Sequence, residues 1–186
     1  MSSLASKRAT YADLEAVPPH LVAEIIDGRI ETHRHGLWSH AQIRTATIGV
    51  FGRRPELYCL PLMEIHVNGH VIVPDMAGWK HGRLTPPPER NEDNPVPDWV
   101  MEIVFPETEA LDRGPKRRIY AEAGVSFLWL LDPRARTLET FAIENREWTP
   151  TSLFNAGEAV SAAPFDAISF PLDTLFCLDS PLTNEN

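Results

Sequence analysis

Residues 97–133, PDWVMEIVFPETEALDRGPKRRIYAEAGVSFLWLLDP, constrain the fold more than any other stretch. Two apolar runs, WVMEIVF and SFLWLL, flank a helical segment expected to begin near Pro115 and to stop at Gly124. Continuous apolar strands joined by a helix predict a βαβ unit whose strands are covered on both faces. Glu102 interrupts the first run. A carboxylate in such a strand is costly unless something pairs with it. The fold therefore poses a chemical question at once: what does Glu102 meet?

The rest of the chain supplies partners for this unit. Thr10 and Asp13 have the spacing of a capping box and open a short helix that Pro18 and Pro19 end. LVAEII and RIETH, joined by Asp27-Gly28, predict a β-hairpin, with Glu24 on the same face as Val22 and Ile26. Ser39 is the expected N-cap of a helix over residues 40–51, with Ile43, Ala46 or Thr47, and Val50 at helical spacing. ELYCLPLMEIHV and HVIVPDMAGWK, joined by Asn68-Gly69, read as a second hairpin whose returning strand carries Asp75. Residues 81–97 form a long loop rich in Pro, Gly and Asn. TLETFAI and REWTPTSLF predict a further hairpin around Glu144-Asn145, and FDAISFPLDTLF a short strand and a docking turn.

At 186 residues the chain suits one domain with a sizeable core, residues 1–9 and 181–186 being expected tails. Its formal charge of −9 excludes a general polyanion binder, so a nucleic-acid site has to be a local basic cleft on an acidic body. Cys59 and Cys177 lie in apolar contexts without metal-type spacing and read as free thiols of a reducing compartment. No apolar run is long enough to span a membrane. A cytoplasmic protein is expected.

Asp75 and Glu102 are the strongest candidates for chemistry, each a lone acid beside an apolar run. Two such carboxylates in neighbouring strands repel unless a cation lies between them, and Mg²⁺ is commonly held by one or two carboxylates plus water. A turn role for Asp75 and an exposed face for Glu102 are the competing readings. Lys116 is expected in the first helical turn, where an anionic neighbour such as the acid pair, a phosphate or Asp112 would offset the helix dipole. Arg117 and Arg118 add charge to the same end. Tyr120 packs on the lysine stem or into the core. His40, at a helix start, is a phosphate-contact candidate. His33 and His35 lack a third metal ligand. Walker, Gly-x-Ser-x-Gly and Cys-x-x-Cys motifs are missing.

The order of these residues resembles the PD-(D/E)xK nuclease superfamily, and within it the bacterial Uma-type restriction-endonuclease family. AEIIDGRI, VIVPDMAGW, PDWVMEIVFPET and LDRGPKRRIYAEAGVSFLWLLDP carry the resemblance, which spans residues 10–145. It implies a restriction-endonuclease-like α/β (α+β) core, a mixed β-sheet flanked by helices with N-terminal and C-terminal hairpins. It implies Mg²⁺, or Mn²⁺, on Asp75 and Glu102 with Glu24 completing the shell. Lys116 takes the part of the motif lysine, since Val104 stands two residues after Glu102. His40 and Tyr120 are expected as accessory residues, and Arg117 or Arg118, at the same helix end, is expected to position the phosphate backbone of bound DNA. The family pattern has Ser-Pro where this chain has Phe105-Pro106. The function implied is Mg²⁺-dependent endonuclease hydrolysis of DNA, with DNA bound weakly in the absence of metal and a homodimer expected by analogy. The alternatives are a nuclease-fold binding or assembly module without catalysis, and action on RNA or branched nucleic acid.

Overall fold

The computed structural model describes residues 7–34, 38–52, 57–84, 88–90 and 93–176. His35, Cys177, and the tails at 1–6 and 181–186 lie outside the described residues. A short helix, α1 (Tyr11–Glu15), opens the fold, and Thr10 and Asp13 close the expected capping box around it. A four-stranded sheet has the order β2-β1-β5-β4, with β1 Leu21–Ile26, β2 Arg29–Arg34, β4 Ile65–Val67 and β5 His70–Ile72. Its two tight turns are the Asp-Gly and Asn-Gly pairs. Asp27, Gly28, Asn68 and Gly69 all have positive φ, which these residue types accept at least cost.

The second sheet has six strands in the order β10-β9-β8-β7-β6-β3. They are β3 Leu57–Pro61, β6 Met76–Lys80, β7 Trp99–Ile103, β8 Phe127–Asp132, β9 Thr137–Glu144 and β10 Glu147–Asn155. β7 and β8 run parallel, as the βαβ reading requires, and the other neighbours are antiparallel. This is the expected mixed sheet. Successive residues of β7 point to opposite faces, so Trp99, Met101 and Ile103 enter one core and Val100 the other. On the first face α2 (Trp38–Phe51) and the C-terminal segment seal an aromatic cluster of Phe51, Trp99, Trp129 and Phe165. That segment pairs β11 (Ala159–Val160) with β12 (Phe170–Pro171) and ends in a 3₁₀ turn at Leu172–Phe176. On the second face lie the crossover helix, through Ile119 and Tyr120, and the smaller sheet, through Ile26, Ile65 and Ile72.

Three expectations are corrected. The runs expected to form one long hairpin each change sheets midway. β3 gives way to β4 around Leu62, which has φ 54°, and β5 gives way to β6 across Val73-Pro74-Asp75. Pro74 cannot donate to a ladder, and the strand breaks there. Asp75 therefore precedes β6 at the junction between the two sheets. Ser39 does not cap α2, which already includes Trp38. The crossover helix does not begin at Pro115. It starts as α3 (Glu109–Leu111), passes through a π-helical turn at Asp112–Lys116, and continues as α4 (Arg117–Ala123) to the left-handed Gly124. Pro115 lacks the N–H for Leu111 O, and its ring would strike that carbonyl in a regular α-helix. The widened turn accommodates both facts. Among the described residues no helix is long and apolar enough to cross a membrane.

Candidate active site

Glu102 lies in the face of β7 that meets the crossover helix, and only 1% of it is exposed. Its exposed-face reading is therefore wrong. The π turn presents Lys116 from above, with 3% exposure. The ammonium Nζ lies 2.9 Å from Glu102 Oε1, 3.2 Å from Glu24 Oε1 and 3.5 Å from Asp112 Oδ1. It also donates to Val73 O at 3.4 Å. Tyr120, one turn on, donates its hydroxyl to Glu102 Oε1 at 2.5 Å. Glu24 Oε1 accepts the Val73 N–H at 2.7 Å, which fixes the smaller sheet to the strand junction.

Asp75 joins from the junction itself. Its N–H donates to Glu102 Oε2 at 3.3 Å, and its Oδ2 accepts the Ile103 N–H at 2.9 Å. Each acid is thus held by a backbone N–H from the other's segment: Glu102 by that of Asp75, and Asp75 by that of Ile103. Asp75 Oδ1 accepts from Arg44 Nη1 at 2.7 Å. His40, one turn before Arg44 on α2, stacks on Phe105 with ring centroids 3.9 Å apart, and its Nδ1 is buried without a hydrogen-bond partner. Phe105 therefore backs His40 and packs on the core, leaving the cleft wall to His40, Arg44, Asp75, Glu102, Asp112 and Lys116.

The electrostatics follow from burial and charge count. Burial drives the Glu102 carboxyl up to about 8; Lys116 opposes that rise, and Asp112, Asp75 and Glu24 add to it. Asp112 is raised for the same leading reason, again against Lys116. Burial alone would lower Lys116, but Glu102, Glu24 and further neighbours outweigh it and hold the ammonium well above its ordinary value. His40 is lowered by burial, against the pull of Asp75, and so stays neutral at pH 7. Among the described residues, the acids of the cluster outnumber Lys116 and Arg44, the cations that face them. A hard divalent cation fits such a donor set. Asp75 and Glu102 line one cavity of about 20 Å³, enough for a single water-sized occupant. Among the described residues no three His, Cys, Asp or Glu side chains form a ready-made metal centre. The protein share would be two carboxylates, as Mg²⁺ commonly takes. Glu24 is committed to Lys116 and the Val73 N–H, which suits a supporting role better than a ligand role.

The chain matches the family described as "Uma2: Putative restriction endonuclease" over residues 8–173. It belongs to the Uma2 family. The match takes in every strand of both large sheets and the whole crossover helix. Among solved structures, the chain resembles a protein titled a "putative nuclease belonging to DUF820" from Anabaena variabilis, with TM-score 0.72 and 19% identity over 90% of this chain and 97% of that one. That likeness shows a shared fold. No curated protein matches the chain.

For this Uma2 chain the structure brings together Asp75, Glu102, Lys116, Glu24, Tyr120 and His40. It does not bring in Arg117 and Arg118. They line a separate hollow with Arg113, Arg146 and Trp148. Arg117 lies over the Phe141 ring, and Arg118 pairs with Asp27 and Glu122. His33 Nε2 stands 3.9 Å from Glu24 Oε2, at the edge of the cluster. Sequence reasoning missed Arg44 and gave Asp112 only a neighbour's part. The i, i+4 spacing of Arg44 after His40, on a helix with no other charged residue, was the available signal.

Proposed function

We propose that this protein is a divalent-cation-dependent nuclease that hydrolyses phosphodiester bonds in DNA. The observation that carries the reading is the convergence of Asp75, Glu102 and Lys116 on one small cleft, in the chain order of the superfamily it resembles. Membership of a family described as "Putative restriction endonuclease" supports the same class.

Asp75 and Glu102 would hold a Mg²⁺ or Mn²⁺ ion, which when bound polarises a phosphoryl oxygen and lowers the pKa of its water. Lys116 lines the cleft and keeps its charge. It is placed to steady an attacking hydroxide and the charge that develops on the phosphate. Glu24, Asp112 and the Val73 carbonyl fix the ammonium, so little reorganisation is needed during reaction. Tyr120 fixes the Glu102 carboxylate from the other side. His40, neutral and braced by Phe105, shapes the wall without adding charge.

A binding module without catalysis is the second reading, favoured by the guanidinium of Arg44 already seated on Asp75. Supercoiled plasmid with Mg²⁺ or Mn²⁺ separates the two. The nuclease reading expects relaxed and linear products from the parent and none from Asp75→Asn. Equal cleavage by Asp75→Asn would falsify this site. No cleavage by either protein, with no Mn²⁺ heat in calorimetry, establishes the non-catalytic reading.

A further inference from the structure

The cleft holds two cations of different kinds. Lys116 is buried and shared among three carboxylates, with its ammonium fixed from several sides. Arg44 comes from the opposite wall, on α2, and is part-exposed. Its contact with Asp75 uses one guanidinium nitrogen and one carboxylate oxygen. The other oxygen of Asp75, Oδ2, is engaged by the Ile103 N–H instead. The pair is single-pronged here, without the two parallel bonds that make Arg–carboxylate contacts strong. A guanidinium presents five N–H donors in a planar fork, so most of its capacity lies outside this contact. A phosphate has the oxygens to satisfy that fork.

With Oδ2 held by the Ile103 N–H, Oδ1 is the oxygen of Asp75 that a cation drawn to this carboxylate would share with Arg44. Arg44 and a divalent ion therefore compete for one atom. We propose that Arg44 is an exchangeable phosphate clamp: it neutralises Asp75 in the free protein, yields Asp75 to the divalent cation, and transfers its guanidinium to the substrate phosphate beside it. The proposal rests on the nuclease reading of this cleft and adds a coupling between cation and substrate. Each ligand removes a competitor of the other, so each tightens the other by the same factor. His40, one turn away on the same helix, stacks back on Phe105. The exchange also explains how an acidic protein admits a polyanion at an acid-rich cleft. The cation replaces the arginine's charge on Asp75, and the arginine's charge is then free for the phosphate.

Calorimetric titration with Mn²⁺, and with a short phosphorothioate DNA duplex in saturating Mn²⁺, tests the exchange in the full chain. Arg44→Gln is expected to bind Mn²⁺ about tenfold tighter than the parent, the scale of one removed charge–charge competition near a surface. The same variant is expected to bind the duplex about tenfold weaker, having lost one charge-assisted contact. Unchanged or weaker Mn²⁺ binding by Arg44→Gln overturns the proposal, as does unchanged duplex binding. If Arg44→Gln does not fold, Arg44→Lys decides. Lysine keeps the charge on Asp75 but lacks the fork, so Mn²⁺ affinity stays near the parent value and duplex affinity falls. Parent-like duplex binding by Arg44→Lys overturns the clamp. Asp75→Asn separates this failure from failure of the nuclease reading: if it retains the parent's Mn²⁺ heat, the metal assignment itself is wrong.

Discussion

Lys116 Nζ lies 2.9 Å from Glu102 Oε1, with both side chains almost wholly shut off from solvent. The contact joins a helix to the strand beneath it. It also answers the problem that a carboxylate in an apolar strand sets for folding. Two further acids share the same ammonium, so its removal does more than break one pair.

Lys116→Met keeps much of the side-chain volume and leaves Glu102, Glu24 and Asp112 facing one another without a counter-charge. Stability at pH 9, above the Glu102 value of about 8, should fall by about 3–5 kcal/mol, the cost of stranding buried charge. Protonation of the acids relieves the repulsion, so the loss should be smaller at pH 5. Urea denaturation at the two pH values checks both statements, and a loss that does not depend on pH contradicts the electrostatic account.

Glu102 has a folded-state pKa raised from 4.5 to about 8. A raised pKa means that the native state holds the proton more tightly than the unfolded chain. The stabilisation is complete below the unfolded value and is lost as pH rises through the folded one. Metal-free protein should therefore lose stability between about pH 5 and pH 8, with a slope from this group approaching about 1.4 kcal/mol per pH unit. Glu102→Gln imitates the protonated form and should flatten that part of the curve. Denaturant midpoints across the range, with EDTA present, are the measurement; parallel curves for the two proteins refute the assignment.

Pro115 lies inside a π turn, and two causes of that turn compete. Proline costs a regular helix about 3 kcal/mol. Burial of Lys116, Ile119 and Tyr120 in their present register outweighs it, since full burial of one such apolar side chain alone is worth about 1.5–3 kcal/mol. Pro115→Ala should then keep the turn, with Tm within a few degrees of the parent and activity retained. A gain in helical circular dichroism with collapse of activity would mean that proline, and not packing, sets the register.

Arg118 is exposed and paired with Asp27 and Glu122 on the far side of the crossover helix from the cleft. Surface pairs of this kind contribute about 0–1 kcal/mol. Arg118→Ala should leave duplex affinity within twofold of the parent, as read by fluorescence anisotropy. A loss of tenfold or more would show that DNA passes over that hollow.

Much of the fold is legible in the chain because its signals are local. Asp27-Gly28 and Asn68-Gly69 specify their turns through backbone freedom, and the apolar runs around Glu102 and Trp129 specify buried strands. Glu102 itself was legible as an anomaly, and anomalies of burial point to partners. The change of sheet at Pro74 was not legible, because alternation of side chains continues unbroken when a strand leaves one ladder for another. The start of the crossover helix was misplaced because Pro115 carries a strong local preference that packing overrides. Arg44 was missed because its meaning depends on Asp75, a residue of another element that only the assembled fold brings to it.

The break at Val73-Pro74-Asp75 has a consequence for how this protein can change. Glu24 belongs to the smaller sheet, Glu102 to the larger, and Asp75 to the hinge-like peptide between them, with Lys116 fastening the smaller sheet's acid to the larger one's. The proposed chemistry therefore sits on the weld of the architecture. A substitution that retunes the reacting groups also loosens or tightens the join between two layers, so variants that differ in rate should differ in hydrogen exchange across the smaller sheet, from β1 at the site out to β2. Improvement of either property is bound to drag the other with it.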